Sequence, residues 1–214
     1  MKPVGILGGT FDPIHNGHLR LALNLYERIG LAEVRLVPLH RPPHREGPVA
    51  ADDLRLEMVR AAVAGTPGLV ADDRELQRGG ISYTVDTLVS MREEFGDRPL
   101  CLILGMDAFC GLPHWHRWEL LPELAHLVVA RRPGTEKAEK GPAGQLLRER
   151  ATEDSSTLFN RPAGRILLSP VPLLDISASQ IRGMVAAGRN PRYLLPDAVL
   201  DVIRRCGLYA STER

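Results

Sequence analysis

The sequence predicts an α/β fold, a doubly wound and mainly parallel sheet with helices on both faces. Short apolar runs alternate with stretches of helical periodicity along the 214 residues, and this alternation is typical of parallel strands joined by crossover helices. The run at residues 100–104 is apolar throughout, as expected of a central strand buried on both faces. The length suits one sizeable α/β domain.

The first half of the chain contains four predicted strands, at residues 3–7, 33–38, 69–71 and 100–104. A helix follows the first strand, because Gly30 suits a helix end and apolar residues recur on one face at Leu19, Ala22, Leu23, Tyr26 and Ile29. Asp52 is the expected N-cap of a second helix that runs to about residue 64, and Thr84 that of a third over residues 85–95.

The second half continues the alternation around one irregular stretch. Residues 125–130 and 165–168 are further strand candidates. Residues 135–164 are rich in charge, Gly and Pro, so we expect a partly helical surface insertion there rather than a domain boundary. Ser177 is the expected N-cap of the next helix, and Pro196 begins a closing helix that ends before Gly207.

Composition narrows the classes of partner and compartment. The formal charge is +1, from 27 basic and 26 acidic residues, so we expect no bulk attraction to nucleic acid or to a membrane. Three cysteines without a C-x-x-C pair indicate a reducing compartment. The apolar run at the N-terminus is too short for a signal peptide, and no segment approaches membrane-spanning length. We therefore expect a cytoplasmic protein.

The stretch with the most chemistry is the glycine–histidine turn, residues 8–18, which read G-G-T-F-D-P-I-H-N-G-H between the first strand and the first helix. Backbone N–H groups and the positive end of a helix dipole collect anions at such a turn. Gly8 and Gly9 let the backbone approach a ligand, and Gly17 leaves room beside the second imidazole. His15 and His18 project to one side, suit hydrogen bonds to phosphate, and gain basicity from the bound charge.

Other interpretations of this turn are weaker. A zinc site needs further ligands, and no Cys or carboxylate stands at suitable local spacing. A dinucleotide fingerprint requires G-x-G-x-x-G, which is absent. Histidines in the core or at a helix cap are the remaining alternative. Local chemistry favours phosphate binding.

For each of three further segments, the sequence allows two interpretations of its role. The basic loop after the second strand, which includes His44 and Arg45, engages a phosphate or is simply solvated. Of Trp115 and Trp118, one stacks on a ligand ring while the other enters the core, or both are core residues. The segment from Ser177 is a second anion site or a capped helix with an exposed arginine.

The glycine–histidine turn resembles the signature of the HxGH nucleotidylyltransferase superfamily, without a break. Further segments narrow the resemblance to bacterial nicotinate-mononucleotide adenylyltransferases, namely P-P-H at 42–44, S-Y-T-V-D-T-L at 82–88, L-G-M-D at 104–107, W-H-R-W at 115–118, R-P-G at 132–134 and S-A-S-Q-I-R at 177–182. The resemblance runs from Gly5 to about Tyr209. It implies a single Rossmann-like nucleotidylyltransferase domain over residues 1–214, with a variable insertion at 135–164 and a C-terminal helical part at 177–210.

The implied reaction joins ATP to nicotinate mononucleotide and gives deamido-NAD and pyrophosphate, in NAD biosynthesis. The implied cofactor is Mg²⁺, held through the ATP phosphates and not by protein ligands. A nucleotide sensor without catalysis and a metal hydrolase using both histidines are the rival classes. The sequence leaves open the oligomeric state, a homo-oligomer included, and the preference for nicotinate over nicotinamide.

The resemblance also assigns roles to individual residues. It implies a catalytic set of His15, His18 and Arg182. It implies an ATP site of Gly8, Gly9, Thr10, Phe11, Gly105, Asp107, Ser177 and Ser179. The implied acceptor site consists of His44, Arg45, Tyr83, Thr84 and Trp115. Two positions depart from the family pattern, since Arg45 stands where Lys is usual and Ala178-Ser179 replaces Ser-Thr.

Overall fold

The computed structural model describes residues 1–43, 47–131 and 140–211. Seven parallel strands of this part of the chain form one sheet, in the order β3-β2-β1-β4-β5-β7-β6. Their bounds are Val4–Gly9 for β1, Glu33–Pro38 for β2, Leu69–Ala71 for β3, Leu100–Gly105 for β4, His126–Arg131 for β5, Ala151–Thr152 for β6 and Ile166–Pro170 for β7. The predicted doubly wound α/β fold is confirmed.

The strand order places a topological switch between β1 and β4. From β1 the chain first builds β2 and β3 on one side, and then crosses to β4 and the remaining strands on the other. β1 and β4 are direct neighbours, with Val4 opposite Leu100 and Ile6 opposite Leu102. Crossovers leave in opposite directions here, so a crevice opens at the carboxyl ends of the two strands, where open α/β sheets bind ligands.

Helices cover both faces of the sheet and enclose an apolar core on each. Their bounds are Asn16–Ile29 for α1, Asp52–Val63 for α2, Arg74–Arg78 for α3, Thr84–Phe95 for α4, Met106–Cys110 for α5, Leu121–Leu124 for α6, Gly141–Arg150 for α7, Ala178–Ala186 for α8 and Asp197–Arg205 for α9. In β4, Cys101 and Ile103 face one core while Leu100, Leu102 and Leu104 face the other. The apolar run at residues 100–104 is therefore explained by burial of β4 on both faces, as its sequence predicts. None of the helices described here is both long and apolar enough to cross a membrane.

Two of the three predicted side-chain N-caps are wrong. The extended backbone of the N-cap lies one residue earlier than predicted, at Ala51 for α2 and at Tyr83 for α4. Asp52 is instead the first helical residue, and its carboxylate binds His40 and Arg55. Ser177 is confirmed as a cap, because its Oγ accepts a hydrogen bond of 3.1 Å from the backbone N–H of Gln180.

Residues 140–164 close one end of the sheet. They contain α7, the edge strand β6 and a 3₁₀ turn at Ser155–Phe159. Ala143 and Leu147 enter one core, and Leu158 enters the other. The described part of this region therefore contributes a strand and core residues, which its charged composition does not predict.

Candidate active site

The two histidines of the glycine–histidine turn stack on each other where β1 passes into α1. His15 is the N-cap residue of α1, and His18 lies in its first turn. Their ring centroids are 3.7 Å apart with 22° between the planes, and Phe11 meets the His18 ring edge-on at 5.0 Å. The imidazoles project to one side, as their spacing predicts.

Burial keeps both imidazoles neutral in the free protein. It lowers the pKa of His15 to about 4 and, with repulsion from His15, that of His18 to about 3. Within the described residues, the buried Nδ1 atoms of both rings have no hydrogen-bond partner. The predicted gain in basicity therefore requires a bound anion, which would also use the free hydrogen-bonding capacity.

The glycines of the turn have different roles. Among the residues that the structure describes, a Cβ added at Gly8 would meet nothing within 4 Å, and the same holds at Gly105, at the end of the neighbouring strand β4. At Gly9 a Cβ would lie 2.9 Å from the Phe11 ring, so this glycine serves packing as well. The crevice at the switch point is thus bounded by two open stretches of backbone.

The role predicted for Gly17 is wrong in one respect, namely which imidazole lies beside it. A Cβ there would lie 2.9 Å from Nδ1 of His15, so Gly17 leaves room beside the first imidazole and not beside the second. The reason is the stacking of the rings, which turns His15 back over the start of α1.

The start of α8 lies against the glycine–histidine turn. Nη1 of Arg182 donates a hydrogen bond of 2.7 Å to the backbone carbonyl of Asp12, and Nη2 donates one of 3.3 Å to Oγ of Ser179. Ser177 and Ser179 are exposed beside it. The two predicted anion sites, which are far apart in sequence, therefore meet at one place.

The described acceptor residues Tyr83, Thr84 and Trp115 lie on two segments that touch. The Tyr83 ring lies 4.3 Å from that of His116, centroid to centroid. Trp115 and Trp118 are both half-buried and pack against the same core, so neither is a fully buried core residue. Thr84 is the first residue of α4. Asp107 is exposed in the first turn of α5, directly after β4.

His44, Arg45 and the predicted segment 132–134 lie outside the described residues. The described neighbours of His44 are tied to the acceptor segment, because the backbone N–H of His40 donates to Oγ of Ser82 at 2.9 Å. The backbone N–H of Ser82 donates to the carbonyl of Arg41, also at 2.9 Å.

Sequence reasoning misses the residues that hold the turn in place. The buried carboxylate of Asp12 accepts hydrogen bonds from the backbone N–H groups of Val49 (2.8 Å) and Ala50 (3.1 Å) and from the hydroxyl of Tyr209 (2.7 Å). Burial and this carboxylate raise the pKa of Tyr209.

Fully buried Arg55 also holds the turn, because it donates a hydrogen bond of 2.7 Å to the carbonyl of Thr10. The available signal is that Arg55 stands three and four residues before buried apolar residues of its own helix.

Donor chemistry at the turn suits an anion. Among the residues that the structure describes, no group of three or more His, Cys, Asp or Glu side chains is arranged to hold a metal ion. A groove of about 500 Å³ lies elsewhere, lined by Arg28, Thr152, Ser169 and their neighbours. The predicted site residues of the described chain do not line it, so the site is recognised by its chemistry and not by its volume.

Comparison with known proteins identifies the family of the chain. The family model described as cytidylyltransferase-like matches residues 6–184. A relative from Aeromonas salmonicida is 50% identical over 209 residues, covering 98% of each chain, and one from Marinobacter nauticus is 52% identical over 207 residues, covering 96% of each. Both carry the name "Probable nicotinate-nucleotide adenylyltransferase".

A solved structure shares the fold. It is a Plasmodium falciparum nicotinic acid mononucleotide adenylyltransferase complexed with NaAD, with a TM-score of 0.72, 18% identity and 98% coverage of both chains. The parallel sheet, its switch-point crevice and the glycine–histidine turn define a nucleotidyltransferase of the cytidylyltransferase-like class. Within that class, the chain belongs to the nicotinate-nucleotide adenylyltransferase family.

Proposed function

We propose that this protein transfers the adenylyl group of ATP to the phosphate of nicotinate mononucleotide, forming deamido-NAD and pyrophosphate in NAD biosynthesis. The observation that carries the proposal is the pair of stacked imidazoles at the switch point of the sheet, whose buried Nδ1 atoms have no partner in the described chain. The family of the chain supplies the class of acceptor.

ATP binds along the crevice in this proposal. Its phosphates lie between the imidazoles and Arg182, over the backbone of Gly8 to Phe11 and beside Ser177 and Ser179. Its adenosine part lies toward Gly105, where the backbone is open. The exposed carboxylate of Asp107 suits the ribose hydroxyls, because it only accepts hydrogen bonds when ionised.

Nicotinate mononucleotide binds on the adjoining segments. We propose that Trp115 stacks on the pyridine ring and that Thr84, with backbone N–H groups at the start of α4, binds the nicotinate carboxylate. The mononucleotide phosphate faces His44 and Arg45, the positions that the family resemblance assigns to it. The close contact of Tyr83 with His116 supports a joint pocket.

The chemistry needs no activated protein nucleophile. A phosphate oxygen of the mononucleotide attacks the α-phosphorus of ATP in line, the bond to the β-phosphate bridging oxygen breaks, and pyrophosphate leaves with that electron pair. The protein positions the reactants and neutralises charge. We propose that His18 stabilises the charge that develops at the α-phosphate, while His15 and Arg182 bind the departing group.

We propose Mg²⁺ as the cofactor, entering on the ATP phosphates and neutralising part of their charge. Imidazole and guanidinium donors suit phosphate oxygens, whereas Mg²⁺ prefers oxygen ligands, so the described donor set fits a nucleotide that brings its own cation. We propose the cytoplasm as the compartment, a choice that the three free cysteines support.

The test is pyrophosphate release by the purified protein with ATP and Mg²⁺. Nicotinate mononucleotide, nicotinamide mononucleotide, pantetheine phosphate and glycerol phosphate are compared by kcat/KM. We expect the highest value with nicotinate mononucleotide. The proposal is wrong if this acceptor supports no release, or if an acceptor without a pyridine ring is preferred.

A further inference from the structure

The loop after β2 is attached to the glycine–histidine turn at both of its ends. We call residues 39–43 and 47–50 the acceptor loop. At its start, the backbone N–H of Leu39 donates to the carbonyl of Gly9 at 3.0 Å. At its end, the Asp12 carboxylate accepts from Val49 and Ala50. The proposed acceptor side is thus anchored on the proposed ATP side.

A chain of polar side chains, His40, Asp52 and Arg55, adds a third attachment, which we call the clasp. Nη1 of Arg55 donates to the carbonyl of Thr10 at 2.7 Å, and its Nη2 donates to one oxygen of the Asp52 carboxylate. The other oxygen of Asp52 holds Nδ1 of His40. The backbone N–H of His40 then binds Ser82, next to Tyr83. The clasp therefore runs from the glycine–histidine turn through α2 to the acceptor loop and to the segment that contains Ser82 and Tyr83.

Burial of Arg55 is unfavourable if its only role is to fill space. Its side chain is 0% exposed, and its Nε has no partner among the described residues. Burying the guanidinium costs desolvation free energy, which pairing with a partly exposed carboxylate offsets only in part. What the guanidinium of Arg55 adds is a fixed geometry, because its planar fork binds Thr10 and Asp52 in defined directions and so fixes their relative position.

We propose that the His40–Asp52–Arg55 clasp is a positioning device, which holds the acceptor loop in register with the glycine–histidine turn. This proposal rests on the proposed function. In-line attack needs the acceptor phosphate and the α-phosphorus at a defined separation, and a misplacement of about 1 Å costs about a hundredfold in rate. His40 and Asp52 act through the loop and not through the substrate.

The test uses His40→Gln, Asp52→Asn and the double variant. Both side chains are about a third exposed, 31% for His40 and 34% for Asp52, so these changes leave the core intact. We expect kcat to fall about tenfold to a hundredfold in each, while Kd for a non-hydrolysable ATP analogue stays within about twofold. The double variant should lose no more than the worse single variant, because one broken link already opens the clasp.

The matched control is Arg60→Gln, which removes an exposed ion pair between α2 and Asp73 and should leave kcat unchanged. Assays run well below the lowest melting temperature of the set. If Asp52→Asn does not fold, His40→Gln alone carries the kcat and Kd test.

Three results would overturn the positioning role. These are wild-type kcat in both single variants, multiplicative losses in the double variant, and a rise in acceptor KM confined to His40→Gln, which would make His40 a direct ligand. Failure of the proposed function is distinct, since the wild-type protein would then release no pyrophosphate with nicotinate mononucleotide.

Discussion

At the scale of single residues, the account depends on two stacked imidazoles that the fold keeps neutral. Stacking at 3.7 Å disfavours a charge on both rings at once, and burial disfavours a charge on either. A bound polyphosphate would reverse this balance by supplying the counter-charge. We therefore expect an anion to stabilise the site.

His18→Ala should lower kcat by about a hundredfold or more, the scale of one preorganised donor, with little change in melting temperature. Steady-state pyrophosphate release measures the effect. His114→Ala, at an exposed histidine in the segment before Trp115, is the control and should keep wild-type turnover. Near-normal turnover of His18→Ala would refute its assignment.

The free energy of unfolding should decrease as the pH is lowered below about 6.5. The unfolded chain protonates these histidines near 6.5, whereas the folded pKa values are about 4 and about 3, so the unfolded state binds more protons in between. The contribution of the neutral rings is complete above pH 6.5 and is lost as the pH falls through this window.

Melting temperatures at pH 7.5 and pH 5.5 measure this loss. Tripolyphosphate should reduce it, because a bound anion raises both pKa values, and a His15→Gln, His18→Gln double variant should show a smaller loss without the anion. An equal loss in the double variant would assign the pH dependence to other groups.

At the scale of elements, apolar patterning predicts the sheet well. The bounds of β2 and β3 agree with prediction, and β2 begins with the alternation of polar and apolar residues that marks a strand buried on one face. The N-cap predicted at Asp52 fails because this carboxylate binds His40 and Arg55 instead. A pattern that is local in sequence does not report such partners.

Gly8→Ala tests the open edge of β1. The added Cβ meets no atom of the described chain within 4 Å, so the fold should accept it, while the methyl group enters the space proposed for ATP. We expect a higher KM for ATP and an unchanged melting temperature. Gly183→Ala, equally unhindered but within α8, should leave that KM unchanged. Wild-type KM in Gly8→Ala would remove Gly8 from the ATP site.

At the scale of the whole molecule, the site is assembled from both ends of the chain. Arg182 reaches Asp12 across 170 residues, and Tyr209 reaches the same residue across 197. The family motifs name Arg182 in advance, but no periodicity links Tyr209 to Asp12. Contacts that depend on how α8 and α9 return to the turn follow only from the fold.

Tyr209→Phe should lower the free energy of unfolding by about 2 kcal/mol, because the Asp12 carboxylate loses one of its hydrogen-bond donors in a buried place. Urea unfolding measures the change. Tyr193→Phe is the control, since the Tyr193 side chain is 83% exposed and should contribute nothing. Equal stability of both variants would mean that the C-terminal segment does not brace the turn.

The most direct test of the central claim is a crystal structure with a non-hydrolysable ATP analogue and Mg²⁺. The account predicts triphosphate oxygens within hydrogen-bond distance of the His15 and His18 rings and of the Arg182 guanidinium, with the adenosine beside Gly105. An analogue bound elsewhere, or bound with both imidazoles turned away from its phosphates, would contradict it.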